Sequence, residues 1–297
     1  MSSASPGPSW QKMPQPTGGK VQADVVRLRH RYARQVTMRL VVSDPRLRDA
    51  FAAVPRERFL GPGPWRLVTP FGSEMTPDSD LRHVYSDIAI ECQPVRGRDD
   101  GEPSRHALGI AALGLRAGQT VAHMGCGTGY YSAVMAELVG GTGRVDAHEG
   151  DRVLAERARS ALAPWPQASV TEKPSGPLRV CDAVYCEAAR TGPDEAWLAA
   201  VKDGGRIVFP LTDAFGRGAL VCLSRRGDVF AVAPLARVTV APPALPVSAG
   251  VDGRLAEASA AGRLMSVRAL HRGVPSGSDP AVALGDGWWL SSRPLDL

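Results

Sequence analysis

No apolar run in the sequence approaches the roughly 18 residues of a transmembrane helix, because arginines or prolines interrupt every candidate. A membrane span is therefore not expected. The first twenty residues are rich in Ser, Pro, Gly and Gln and lack an apolar h-region, so residues 1–20 are read as a flexible leader and not as a signal peptide. A cytoplasmic protein is the expectation. The five cysteines, Cys92, Cys126, Cys181, Cys186 and Cys222, are scattered and odd in number, which excludes a disulfide framework. Cys181 and Cys186 have no second pair at zinc-like spacing, and no metal is expected. The net charge of +5 is spread among arginines and forms no basic block. It suits an anionic substrate and gives no nucleic-acid footprint.

What is present is the composition of a soluble globular chain. With 297 residues, 44% hydrophobic and 22% charged, one sizeable α/β domain with additions at either end is expected. Apolar positions at helical spacing from Val21 to Leu60 predict two helices parted at Ser43-Asp44-Pro45, where aspartate caps and proline suits the first turn. Residues 21–103 then read as a helical and loop cap on the substrate side, with one strand-like piece at Val84–Ile90.

From Ser104 the pattern alternates. Helices are predicted at Ser104–Leu115, Tyr130–Val139, Arg152–Leu162 and Glu195–Val201, and strands at Thr120–Met124, Val145–His148, Ala183–Cys186 and Arg206–Pro210. That succession implies a mostly parallel, Rossmann-like sheet with helices on both faces over residues 104–240. Ligands of such sheets bind at the carboxyl ends of the strands. A strand pair follows (Ala219–Ser224 and Val229–Ala233, turning at Arg225-Arg226-Gly227-Asp228). Residues 241–297 form a C-terminal extension with a Pro-rich bend, a helix near Leu255–Leu264, and Gly285-Asp286-Gly287-Trp288-Trp289-Leu290.

The sharpest local signal is Thr120–Met124 running into Gly125-Cys126-Gly127-Thr128-Gly129 and then a helix. Glycines permit positive φ and close approach of a ligand to backbone, and a helix start presents unpaired N–H groups. Glu149, followed by Gly150, comes just after the next strand and can accept both hydroxyls of a ribose. The rival dinucleotide fold spaces its glycines G-x-G-x-x-G. Here the spacing is G-x-G-x-G, which favours a nucleoside cofactor without a pyrophosphate; the bland alternative is a tight turn alone.

The sequence resembles protein-L-isoaspartate O-methyltransferases. The resemblance runs through Val54-Pro55-Arg56-Glu57-Arg58-Phe59, Ala117 to Ala133, Gly143 to Glu149, Leu154 to Ala158, Cys181-Asp182-Ala183-Val184 and Lys202 to Arg206, covering roughly Arg27 to Val240. It implies a class I methyltransferase using S-adenosylmethionine (SAM), with His123, Gly125, Cys126, Gly127, Thr128, Gly129, Tyr130, Glu149 and Gly150 as cofactor-binding positions. The family's Thr/Ser-Gln-Pro element corresponds to Gly101-Glu102-Pro103, its acid at the end of the SAM strand to His123, and the acid expected near the adenine to a place in Lys173–Gly176 that has none. Gly285 to Trp289 is similar to the glycine and aromatic motif of relatives that methylate aspartate in ribosomally made peptides.

Methyl transfer from a sulfonium is an in-line displacement that depends chiefly on positioning. A carboxylate acceptor is ionised at neutral pH and needs no base, whereas a hydroxyl or amine usually does. His106 is the best base candidate, its bland alternative being a satisfied helix-face histidine. Ser104 and Glu102 complete the candidate catalytic group, although Ser104 also suits a helix cap. Arg105 could pair with a substrate carboxylate, and Trp288 and Trp289 could close a peptide groove or staple the terminus to the domain. The function expected is carboxyl O-methylation of an aspartyl or isoaspartyl side chain in a peptide or protein. The alternatives are a small-molecule O- or N-methyltransferase and a SAM-binding regulator without turnover.

Overall fold

Asp44 divides the first two helices as its position before proline predicts. The computed structural model describes residues 19–40, 43–69, 71–93, 98–172, 176–243, 249–275, 281–285 and 287–295; most of the expected leader, and Lys173 to Ser175, lie outside them. Helix α1 (Gly19–Thr37) precedes α2 (Pro45–Ala53), whose N-cap Asp44 accepts from the Arg46 N–H. A short α3 (Glu57–Leu60) follows. Tyr32, Val36, Leu47 and Phe51 are fully buried between the first two helices and the domain beneath.

The region expected as loops contains a small antiparallel sheet of β1 (Arg66–Thr69), β2 (Gly72–Met75), β3 (Ala89–Gln93) and β4 (Arg98–Asp99), in the order β2-β1-β3-β4. The strand expected at Val84–Ile90 is displaced to β3. Its alternating pattern serves Arg56 instead, whose guanidinium collects the carbonyls of Val84, Ser86 and Ile88 at 2.8, 3.1 and 2.9 Å. Those carbonyls are thereby unavailable to a β-ladder.

The main sheet is built from α4 (Pro103–Leu113), β5 (Thr120–Met124), α5 (Tyr130–Val139), β6 (Arg144–His148), α6 (Arg152–Ala161), β7 (Ala168–Thr171), β8 (Cys181–Cys186), α7 (Glu195–Ala200) and β9 (Val201–Thr212). It continues antiparallel through β10 (Arg217–Arg226), β11 (Val229–Thr239), β12 (Ala269–Arg272), β13 (Ala281–Gly285) and β14 (Trp288–Ser291), with α8 (Ala249–Ala260) between β11 and β12. The strand order is β13-β14-β12-β11-β10-β9-β8-β5-β6-β7, with β9 to β7 parallel. The expected α/β class I architecture is thus present, with apolar layers on both faces.

Three details depart from expectation. Strand β7 is missing from the sequence prediction, as are β12 to β14, which are too short and too close to loops to show a period. The helix expected to Leu264 ends at Ala260, because Gly262 takes a left-handed φ of 70° and hands over to a 3-10 turn. Beyond it the C-terminal strands join the same sheet.

Strand order reverses at β5: β6 and β7 lie on one side of it, and β8, which follows them in the chain, on the other. The carboxyl ends of β5 and β8 therefore border a topological switch point, where open α/β sheets bind ligands.

Candidate active site

The glycine turn leaves β5 at that switch point. Gly125 and Cys126 donate to the His148 carbonyl at 2.8 and 3.0 Å, which ties the turn to the end of β6. Gly125, Gly127 and Gly129 have φ of 72°, 54° and 91°, so a side chain at any of them would be strained. Space distinguishes the three. A Cβ on Gly127 or Gly150 would meet nothing within 4 Å, whereas one on Gly129 would lie 2.9 Å from Leu162 Cδ1. Gly129 serves helix packing, and Gly127 and Gly150 line open ground.

Glu149 is almost wholly buried beside that ground. It accepts from the Gly127 N–H at 2.8 Å and the Asp151 N–H at 2.9 Å, and Arg98 Nη1 stands 3.3 Å away. The acid is held in place before any ligand arrives. Thr128 and Cys126 are buried in the turn, and burial pushes the Cys126 thiol well up, so it is inert.

Two expected cofactor residues have other duties. Tyr130 packs edge-on against Phe51 and Phe59, with its hydroxyl 3.4 Å from that of Tyr32, so it joins the domain to its cap and does not cover a ligand. Its place in the first turn of α5 points it at α2. His123 is fully buried, with Nδ1 2.7 Å from Ser132 Oγ and Nε2 2.8 Å from Glu187 Oε1. The second contact is at ion-pair distance, and neither atom has another partner among the described residues.

Helix α4 begins beside the turn. Its N-cap is Glu102, not Ser104; Glu102 is exposed and makes no side-chain cap, and the Ser104 N–H donates to Asp87 Oδ1 at 2.8 Å. His106 is buried, stacked on Tyr131 with ring centroids 3.9 Å apart, and its Nδ1 lies 2.7 Å from the Tyr185 hydroxyl. Its Nε2 is buried without a partner. Desolvation, followed by the nearby Arg105 charge, holds the imidazole well below its usual pKa, so it is neutral at pH 7.

Gly101 makes that arrangement possible. It has φ of 69°, and a Cβ there would stand 2.1 Å from His106 Nε2 and 2.5 Å from Arg105 Nη2. The preceding Asp100 is anchored by Arg56, through Nε at 3.1 Å and Nη2 at 2.7 Å. With its three carbonyl bonds, Arg56 thereby uses all five of its N–H donors. The Val-Pro-Arg-Glu-Arg-Phe segment therefore places Gly101 from a distance of some forty residues in sequence. Sequence reasoning found the segment but not this duty, and it missed Tyr185, Glu187 and Asp87, which lie in loops or strand interiors with no motif.

Trp288 and Trp289 do not line a groove. Both lie buried in β14: Trp288 packs in the apolar layer with Trp197 and Leu290 and against Gly192, and Trp289 stacks on His271 with centroids 4.0 Å apart. A strand with both faces covered buries consecutive residues. Among the described residues no cluster of His, Cys, Asp or Glu could hold a metal ion, and no helix is long and apolar enough to cross a membrane.

The open glycines and the preset Glu149 fit a nucleoside cofactor. A glycine turn at the switch point of a doubly wound sheet, with an acid one strand over, defines a class I, SAM-dependent methyltransferase. The protein-L-isoaspartate(D-aspartate) O-methyltransferase family model matches residues 30–242. The chain is 32% identical over 202 residues to the protein-L-isoaspartate O-methyltransferase of Ignicoccus hospitalis, covering 65% of this chain and 86% of that one. Identity to the Methylorubrum extorquens protein of the same name is also 32% over 202 residues, covering 63% and 74%. A solved protein-L-isoaspartate O-methyltransferase shares the fold with TM-score 0.62 at 22% identity, over 76% of this chain and 69% of that chain. A Plasmodium falciparum structure bearing the family's name, in complex with S-adenosyl-L-homocysteine, does so with TM-score 0.56 at 14% identity, over 72% and 97%. The chain belongs to the protein-L-isoaspartate(D-aspartate) O-methyltransferase family.

SAM supplies an activated methyl group on sulfur. The residues that would hold it are Gly125 to Thr128, Glu149 and Gly150.

Proposed function

We propose that the chain transfers the methyl group of SAM to an aspartyl or isoaspartyl carboxylate of a peptide or protein. The observation that carries this is the Arg105 guanidinium at the start of α4, beside His106, which stacks on Tyr131 of the helix that follows the glycine turn. Arg105 is half-buried, and its guanidinium makes no hydrogen bond or ion pair among the described residues. A cation kept without a carboxylate partner at the mouth of a cofactor site suits an anionic acceptor. His106 is buried and neutral, and an acceptor that is already ionised needs no base from it.

The experiment is transfer from methyl-labelled SAM to aspartyl, isoaspartyl and unmodified control peptides, followed by mild base. Label lost as methanol is expected, since carboxyl methyl esters are base-labile. Base-stable label, or transfer to a hydroxyl or amine acceptor alone, would overturn the proposal. A peptide natural product is one possible source of the aspartyl acceptor, separated from general protein substrates by comparing precursor peptides with aged proteins in the same assay.

A further inference from the structure

The Glu187 carboxylate has no role in the fold as described. It follows β8, and its N–H donates to the Met124 carbonyl at 3.2 Å, which fixes it beside the end of β5. The next residue, Ala188, has its Cβ 3.8 Å from where a Cβ on Gly125 would stand. Glu187 therefore borders the glycine turn from the side opposite Glu149. Its side chain is only 14% exposed, yet no arginine or lysine contacts it among the described residues. Its one charged or chargeable neighbour within ion-pair distance is His123, whose Nε2 stands 2.8 Å from Oε1, and no donor reaches Oε2 among the described residues. A carboxylate taken from water without good donors is costly.

The other acids around the turn are already engaged: Glu149 by two backbone N–H groups and Arg98, and Asp100 by Arg56. Glu187 is the carboxylate left over. Strands β6 and β8 flank β5, so their ends stand two strand spacings, roughly 10 Å, apart. A ribose on Glu149 with an amino-acid arm extending from its sulfur can bridge such a gap. The end of that arm carries an ammonium.

We infer that Glu187 is the residue that binds the α-ammonium group of SAM, and that His123 positions its carboxylate from the buried side. The charge that the end of β5 lacks, with histidine at 123, is supplied across the ladder by β8. Ser132, on α5, holds the far side of the imidazole through its contact with Nδ1 and so fixes the ring. The inference rests on the cofactor and not on the acceptor, so it stands or falls apart from carboxyl methylation.

The test is calorimetric and needs no turnover. Binding of S-adenosyl-L-homocysteine is compared with that of its analogue in which hydrogen replaces the α-amino group. The unmodified chain is expected to favour the amino compound by about 10- to 100-fold, the range of a charged hydrogen bond. In Glu187→Gln the gap should close to within about threefold, with the deaminated analogue bound as before, since only the charge pair is lost. Glu187→Asp should retain part of it. A gap that persists in Glu187→Gln overturns the inference, as does equal loss of both ligands. Equal binding of the two by the unmodified chain overturns it without any variant.

Discussion

His106 Nδ1 and the Tyr185 hydroxyl, 2.7 Å apart and 79 residues apart in sequence, join the first turns of α4 to the interior of β8. Burial keeps this histidine neutral, and the sign of its pH effect follows. The unfolded chain takes up a proton near pH 6.5 that the folded chain refuses. The stability contribution is intact above that pH and is lost as pH falls below it. The slope per refused proton is about 1.4 kcal/mol per pH unit. Thermal melts at pH 7.5 and pH 5.5 should show a smaller acid-side loss for His106→Gln than for the unmodified chain; identical losses would remove His106 from the account.

Gly101→Ser is expected to be destabilising by about 1–3 kcal/mol, since it places a Cβ 2.1 Å from His106 Nε2 and strains a φ of 69°. Combining it with His106→Val should recover part of the loss. Chemical denaturation of both single variants and the double variant would show coupling of about 1 kcal/mol or more if the two residues compete for one space. Strict additivity would mean that the strain is in the backbone alone.

Arg56→Met removes five hydrogen bonds and leaves Asp100 buried and unpaired, and a loss of about 3–5 kcal/mol follows. Arg56→Lys cannot reproduce the fork and should lose most of the same amount. Urea unfolding measures both. A loss within 1 kcal/mol for either, on the scale of roughly ±0.5 kcal/mol for neutral surface changes, would contradict the role.

Glu149→Ala should weaken S-adenosyl-L-homocysteine binding by about 10-fold or more, the value of a charged hydrogen bond to a ribose hydroxyl. Its effect on stability should be visible as well, because the Gly127 N–H loses an acceptor. Unchanged affinity would put the ribose elsewhere.

Trp289→Ala is expected to cost stability, about 3 kcal/mol for a buried tryptophan, with no rise in KM for peptide. A selective rise in KM at unchanged stability would restore the groove that the buried position argues against.

Most of the parallel half of the sheet was legible because β5, β6 and β8 are short and each is followed by a helix, whereas β7, which no helix follows, was missed. Thr120–Met124 and Tyr130–Val139 were predicted with the observed bounds. Glu149 was legible from its place one strand after a glycine turn. The displaced strand near Val84 was not, since Arg56 overrides an alternating pattern by taking the carbonyls. Glu187 was not legible either. A single acid after a strand has no local signature, and its meaning comes only from the β5–β8 pairing, which sets Tyr185 opposite His123 and leaves Glu187, just past the strand end, within 2.8 Å of the imidazole. The same applies to Gly101, whose lack of a side chain matters because of a ring five residues on.

Strand β12 pairs with β11 at Phe230 and Ala231, with the Val232 N–H donating to the Arg268 carbonyl at 2.8 Å beside them, and β14 then β13 stack outward from it. Without those three strands, β11 would be the outermost strand, eleven residues long, with an unpaired backbone beside an apolar layer robbed of Trp288 and Leu290. Such an edge recruits other chains. A C-terminally shortened version of the protein would therefore face self-association before it faced any loss of chemistry, and the last strands act as a guard on solubility for a catalytic sheet that lies several strands away.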